Sequence, residues 1–156
     1  MSQKLGINVK AMATPEGAVS GVDVLVTITP VRTPIVKREW VSEGMHINAV
    51  GADAPGKQEL EPGILKRAKI VVDDWEQASH SGEINVPLGE GIITRENIHA
   101  EIGEIVTGAK PARASNEEIT LFDSTGLSLQ DVITSWHVYR MAEEKEMGNE
   151  IPAFYL

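Results

Sequence analysis

Cysteine is absent from the 156 residues. That excludes disulfides, thiolate catalysis and Cys-based zinc sites together, and it favours a reducing, cytoplasmic compartment. Net positive charge is also lacking, since 23 acidic residues against 14 basic ones give a formal charge of −9. A phosphate backbone is held by clustered Lys and Arg, so nucleic acid is not an expected partner. No apolar run approaches the roughly 20 residues of a membrane span, and the opening Met-Ser-Gln-Lys-Leu-Gly-Ile carries no apolar leader, so a membrane is not expected either. The four histidines are scattered; His80, His99 and His137 lack metal-ligand spacing, and no metal site is expected. A nucleophile elbow, a Walker loop and a Gly-x-Gly-x-x-Gly or Ala fingerprint are all missing. There is no internal repeat and no low-complexity segment.

What is present is 42% hydrophobic content, enough to bury one core. Four runs rich in β-branched residues recur at the spacing of βα units: Val22–Thr29, His46–Gly51, Ala68–Asp74 and Glu118–Ser124. The last three are apolar in the middle rather than alternating, which predicts a parallel sheet covered by helices on both faces. Ile7–Met12 is a weaker strand candidate, and Thr14-Pro15-Glu16 reads as a helix start with Pro in first position. Lys37–Glu43, stopped by Gly44, reads as a helix. Ile98, Ile102, Ile105 and Val106 form one helical stripe ended by Gly108. Glu76–Gly91 lacks periodicity and reads as loop or short helices. Ser128 and Asp131 stand in capping-box spacing before Leu129, Val132, Ile133, Trp136 and Tyr139, which predicts the longest helix, running to about Met147. The final Phe154-Tyr155-Leu156 places aromatics on a tail expected to dock.

In open parallel sheets ligands bind beyond the carboxyl ends of the strands, so the residues leaving each strand are the ones to inspect. They are Thr27-Ile28-Thr29-Pro30, Val50-Gly51-Ala52-Asp53, Asp73-Asp74 and Asp123-Ser124-Thr125-Gly126, all polar or small. Glycines and hydroxyl residues there suit close approach of backbone to a flat cofactor, yet the same residues cap helices and build turns. On spacing alone the turn reading wins. Asp53 precedes the turn signal Pro55-Gly56, Lys57 and Glu59 read as solvated, and His46 reads as a hydrogen-bonded structural residue.

The run HINAVGADAPGKQEL, starting at His46, resembles the signature of the ornithine cyclodeaminase/μ-crystallin family, most closely its archaeal alanine dehydrogenases. The likeness continues through Asp23–Pro30, Lys69–Asn85, His99–Gly108 and Phe122–Asp131, in the family's order. It implies a Rossmann-type domain with NAD or NADP over the strand ends, in enzymes that are homodimers. By the same likeness, Thr27, Thr29 and Pro30 line the adenosine side of the cofactor. Val50, Gly51, Ser124, Gly126 and Leu127 line the nicotinamide side, and Asp53 is the catalytic carboxylate.

Family members are longer. In them a substrate and dimerisation domain, the first strand and the glycine fingerprint precede the part that this sequence resembles. The expected organisation is therefore a truncated Rossmann-type nucleotide-binding domain over 1–126, lacking the first βαβ unit, and a C-terminal helix and tail over 127–156. The expected function is a family domain that is catalytically incompetent alone, with weak or no NAD(P) binding. One alternative is part of an NAD-dependent alanine dehydrogenase or ornithine cyclodeaminase, completed by a missing N-terminal half that a separate chain could supply; the other is a non-enzymatic binding or interaction module. In the Rossmann order the Val22 strand is the fourth and becomes an edge, which predicts a homodimer or larger assembly.

Overall fold

The structure is a computed structural model that describes residues 2–149 and residue 151. Four strands form where the β-branched runs lie, trimmed to four residues each, and a further one forms at Ile98: β1 (Val24–Thr27), β2 (His46–Ala49), β3 (Lys69–Val72), β4 (Ile98–Glu101) and β5 (Thr120–Asp123). The helices are α1 (Ser2–Leu5), α2 (Pro15–Val19), α3 (Pro62–Leu65), α4 (Trp75–Ser81), α5 (Asn85–Gly89), α6 (Ile102–Val106) and α7 (Ser128–Glu144). Contacts divide the chain into two units, 1–125 and 126–156.

The sheet is open and all-parallel, in the order β1-β2-β5-β3-β4. This is a Rossmann-type arrangement of an open sheet with flanking helices. β1 lies at one edge, paired with β2 alone among the described residues. The last strand is inserted between β2 and β3, so that Asp123 stands level with both Ala49 and Val72.

Burial alternates along every strand. Leu25, Ile47, Ile70, Val72 and Leu121 belong to the core with Ile64 and Leu65 of α3, Ala78 of α4 and Ile84 before α5. Each fully buried Ile or Leu contributes about 1.5–3 kcal/mol. The expectation of two covered faces is corrected here. On the other face Val24 and Val26 are each 56% exposed. His46, Lys69, Val71, Thr120 and Phe122 line an open apolar cavity of about 410 Å³ beside Ile102 and Ile105 of α6. Period-two alternation is the pattern of a sheet with one face packed, and short apolar runs hide it.

Local predictions fare unevenly. Thr14 caps α2, accepting from the Gly17 amide at 3.1 Å, with Pro15 inside the first turn. Glu76–Gly91 resolves into short helices, α4 and α5, and Asp74 caps α4 through the Gln77 amide at 2.8 Å. Lys37–Glu43 contains only a single 3-10 turn, Arg38–Trp40. The stripe from Ile98 is half strand: Ile98 and Ala100 point into the core with period two, and the helix begins at Ile102 behind a capping box of Glu101 and Glu104. Ile7–Met12 is not a strand; it is exposed throughout, and the Val9 amide donates to Ser2 Oγ rather than to β1.

α7 ends at Glu144, short of Met147. Ser128 is already its first helical residue, one position past the cap at Leu127, so the expected capping box with Asp131 does not form. The predicted stripe of Leu129, Val132, Ile133, Trp136 and Tyr139 is exposed in its unit. The Phe154-Tyr155-Leu156 tail lies outside the described residues.

Candidate functional site

Because all strands run the same way, their carboxyl ends share one rim, and main-chain bonds step across it. The Val50 amide donates to Thr27 O at 2.9 Å, Ser124 to Ala49 O at 2.9 Å, and Asp73 to Asp123 O at 3.1 Å. A crevice of about 300 Å³ opens where β1 and β2 end, lined by Ile28, Thr29, Pro30, Val50, Gly51, Asp53 and Lys57. Five of the residues singled out in the sequence thus meet: Thr29, Pro30, Val50, Gly51 and Asp53.

The others are placed differently. Thr27 is 5% exposed, and its hydroxyl has no hydrogen-bond partner among the described residues. Ser124 is half-buried next to the β2 exit through its bond to Ala49. Gly126 and Leu127 belong to the second unit.

Gly51 is where the two exits press together. A Cβ there would stand 2.5 Å from Thr29 N, Thr29 O and Glu59 Oε2, so only glycine fits. Asp53 sits at the rim with its side chain 63% exposed, paired with Lys57 across the turn that follows it. The Lys57 ammonium holds the Asp53 carboxyl below its ordinary value, first through their hydrogen bond and then through charge. It is an ionised acceptor, occupied by the Lys57 ammonium.

Beneath the rim lie buried carboxylates, of which the sequence reading took Glu59 as solvated and did not single out Glu83. Glu59, read as solvated, is fully buried; it accepts the Thr29 amide at 2.7 Å, the Thr29 hydroxyl at 2.6 Å and the Gly51 amide at 3.0 Å. Glu83 and Asp123 are fully buried too, and burial pushes them up to about 8 and about 7 despite the backbone N–H groups they accept. Asp73 receives the Thr125 amide at 2.6 Å and its hydroxyl at 2.9 Å, joining the β3 and β5 exits. No local pattern marked Glu59, whose neighbours Gln58 and Leu60 are buried only in the folded chain. His46 is structural as expected, bonded to Thr120 Oγ1 at 2.8 Å and Asn48 Oδ1 at 3.2 Å.

Comparison with known proteins matches residues 1–146 to the model of the ornithine cyclodeaminase/mu-crystallin family. The chain is 57% identical over 146 residues to an alanine dehydrogenase of Archaeoglobus fulgidus, covering 94% of this chain and 45% of that protein. Among solved structures it resembles an archaeal alanine dehydrogenase dimer with bound NAD, at TM-score 0.90 and 55% identity over 98% of this chain and 47% of that one. It also resembles the Thermococcus litoralis Δ1-pyrroline-2-carboxylate reductase in complex with NADH and L-proline, at TM-score 0.91 and 40% identity, covering 96% and 47%. The chain spans about half the length of the relatives it matches. With nearly all of its length matched by the family model and by these relatives, the chain belongs to the ornithine cyclodeaminase/mu-crystallin family.

Proposed function

We propose that this chain furnishes part of an NAD(P) crevice together with the carboxylate of an amino-acid-oxidising or imine-reducing site, and that alone it binds the dinucleotide weakly and does not turn over. The observation that carries this reading is the meeting of Thr29, Pro30, Val50, Gly51 and Asp53 in one crevice at parallel strand ends. The residues fit such a cofactor: backbone is bare at Gly51, and the buried Thr27 hydroxyl lacks a partner among the described residues. Thr27, Thr29 and Pro30 would face adenosine, and Val50, Gly51, Ser124, Gly126 and Leu127 nicotinamide. The cofactor supplies a hydride acceptor. Asp53 Oδ would take one proton from the substrate ammonium as hydride leaves Cα, which would leave a protonated imine for hydrolysis or for ring closure by an internal amine.

The weakness follows from the fingerprint that the sequence lacks. Charge-assisted bonds to pyrophosphate contribute about 1.5–3 kcal/mol each. Going without two or three weakens binding by roughly 100-fold to more than 100,000-fold. Titration calorimetry with NAD tests this: a millimolar or weaker dissociation constant is expected, and a micromolar one overturns it.

The half-length match favours a second reading, in which a further segment or chain of the same family completes a dehydrogenase of alanine or another small amino acid, or an ornithine cyclodeaminase. In that completed protein Asp53→Asn should abolish most turnover and leave NAD affinity intact, because the amide keeps the shape but takes no proton. We also propose that the chain works in the cytoplasm and associates with a second copy along the uncovered β1 edge, where Val24 and Val26 are exposed and Ile7–Met12 does not pair. Sedimentation velocity at micromolar concentration should show no stable monomer. Functionally we keep the division at 126/127, with the nucleotide face on 1–126 and the helix and tail on 127–156.

A further inference from the structure

We infer that Glu59 is the positioning residue of the crevice, and that Asp123 and Glu83 position Glu59 through a relay in which each buried carboxylate holds the backbone of the next. The relay starts on the sheet. Asp123, the last residue of β5, accepts the amides of Glu83 at 2.9 Å and Ile84 at 3.1 Å. The Glu83 carboxylate accepts the Glu59 amide at 2.9 and 3.0 Å and the Leu60 amide at 2.7 Å. Glu59 then spreads its two oxygens: Oε1 takes the Thr29 amide and hydroxyl, and Oε2 takes the Gly51 amide. Its carbonyl also receives the amides of Ile35 at 2.8 Å and Val36 at 3.0 Å, beyond the β1 exit. A single side chain therefore sets the spacing of the two strand exits that wall the crevice.

Burial of an acid is costly unless donors meet its oxygens, and here the donors are backbone N–H groups and one hydroxyl. Two glycines make the room. A Cβ at Gly51 would lie 2.5 Å from Glu59 Oε2, and one at Gly82 would lie 2.5 Å from Asp123 Oδ2. The last carboxylate and the first are thus both seated against glycine backbone. The bare backbone at the crevice is a consequence of the relay as well as a feature of the crevice. The inference rests on the nucleotide reading above only for what the crevice holds, since the spacing it sets is independent of any ligand.

The test is amide hydrogen exchange on the ¹⁵N-labelled full chain. In Glu59→Gln one oxygen becomes an NH₂ that faces a donor, so Thr29 or Gly51 should exchange about 10- to 100-fold faster while Ile47, Ile70 and Leu121 keep their protection. A uniform loss across the sheet, or unchanged Thr29 and Gly51 in a folded variant, overturns the positioning role. If Glu59→Gln does not fold, Thr29→Val decides: removing the hydroxyl donor should speed Thr29 exchange alone, and no change overturns the clamp. Asp123→Asn tests the relay, since loosened Glu83 and Ile84 with Thr29 and Gly51 as in wild type would disconnect the two ends. NAD, titrated to several millimolar and read from the Thr29 and Val50 amides, separates ligand from geometry. Weaker shifts in Glu59→Gln than in wild type support the inference, and equal shifts from a loosened crevice overturn it. No shift in wild type agrees with the weak binding proposed above, and the relay is then decided by exchange alone.

Discussion

The rim of the crevice and its foundation are built from the same functional group and behave oppositely. At the rim, Asp53 is exposed and the ammonium of Lys57 holds it low. In the foundation, Glu83 and Asp123 are buried and burial pushes both up toward neutrality. Hydration and a neighbouring cation favour the charged form, whereas desolvation disfavours it more strongly than two N–H donors restore it. The acid at the rim is thus held charged beside a cation, and the acids below it are met by backbone N–H groups.

The sharpest way to break the comparison is Asp123→Ala, which leaves the buried amides of Glu83 and Ile84 without acceptors. Each unsatisfied donor costs about 1–3 kcal/mol, so a loss of about 2–6 kcal/mol in urea unfolding is expected. A loss under about 1 kcal/mol would mean that the site relaxes or admits water.

Acidity gives the next largest effect. The folded chain raises Glu83 from 4.5 to about 8 and Asp123 from 3.8 to about 7. Between those limits the folded state holds protons that the unfolded state has released, so this stabilisation is full below the unfolded values and is lost as pH rises through 7 and 8. Urea midpoints should therefore be higher at about pH 5 than at about pH 8.5, and Glu83→Gln, which mimics the protonated acid, should flatten the difference. Equal wild-type midpoints would put both acids on ordinary titration.

Gly82→Ala comes third. Its Cβ would press on the Asp123 carboxylate at 2.5–2.9 Å; a cost of about 1–3 kcal/mol is expected in thermal unfolding, and a neutral result would show that the carboxylate can move.

The smallest effect belongs to the rim. Lys57→Met should bring the Asp53 carboxyl back up toward its ordinary value, read by carbon NMR titration, without moving the urea midpoint. A shifted midpoint would make the pair part of the foundation instead.

Much of the site was legible because strand exits are read from local residue type. Thr29, Pro30, Val50, Gly51 and Asp53 could be named because β-branched runs end in small or polar residues there, and the family likeness gave them roles. Ile98–Glu101 was misread because Ile98 and Ile102 share helical spacing, while the period-two pattern of Ile98 and Ala100 is too short to stand out.

The sequence by itself determined four of the five strand segments and the Thr14 cap, since each depends on neighbours within a few positions, and the family likeness singled out residues that rim the crevice. Only the tertiary structure decided that β5 inserts between β2 and β3, that one sheet face stays open, and that Glu59, Glu83 and Asp123 are buried against backbone donors. A carboxylate's environment is set by groups brought from far along the chain: Asp123 reaches Glu83 across 40 residues, and Glu59 reaches Thr29 across 30. Burial and donors at that separation leave no periodicity or local spacing to read.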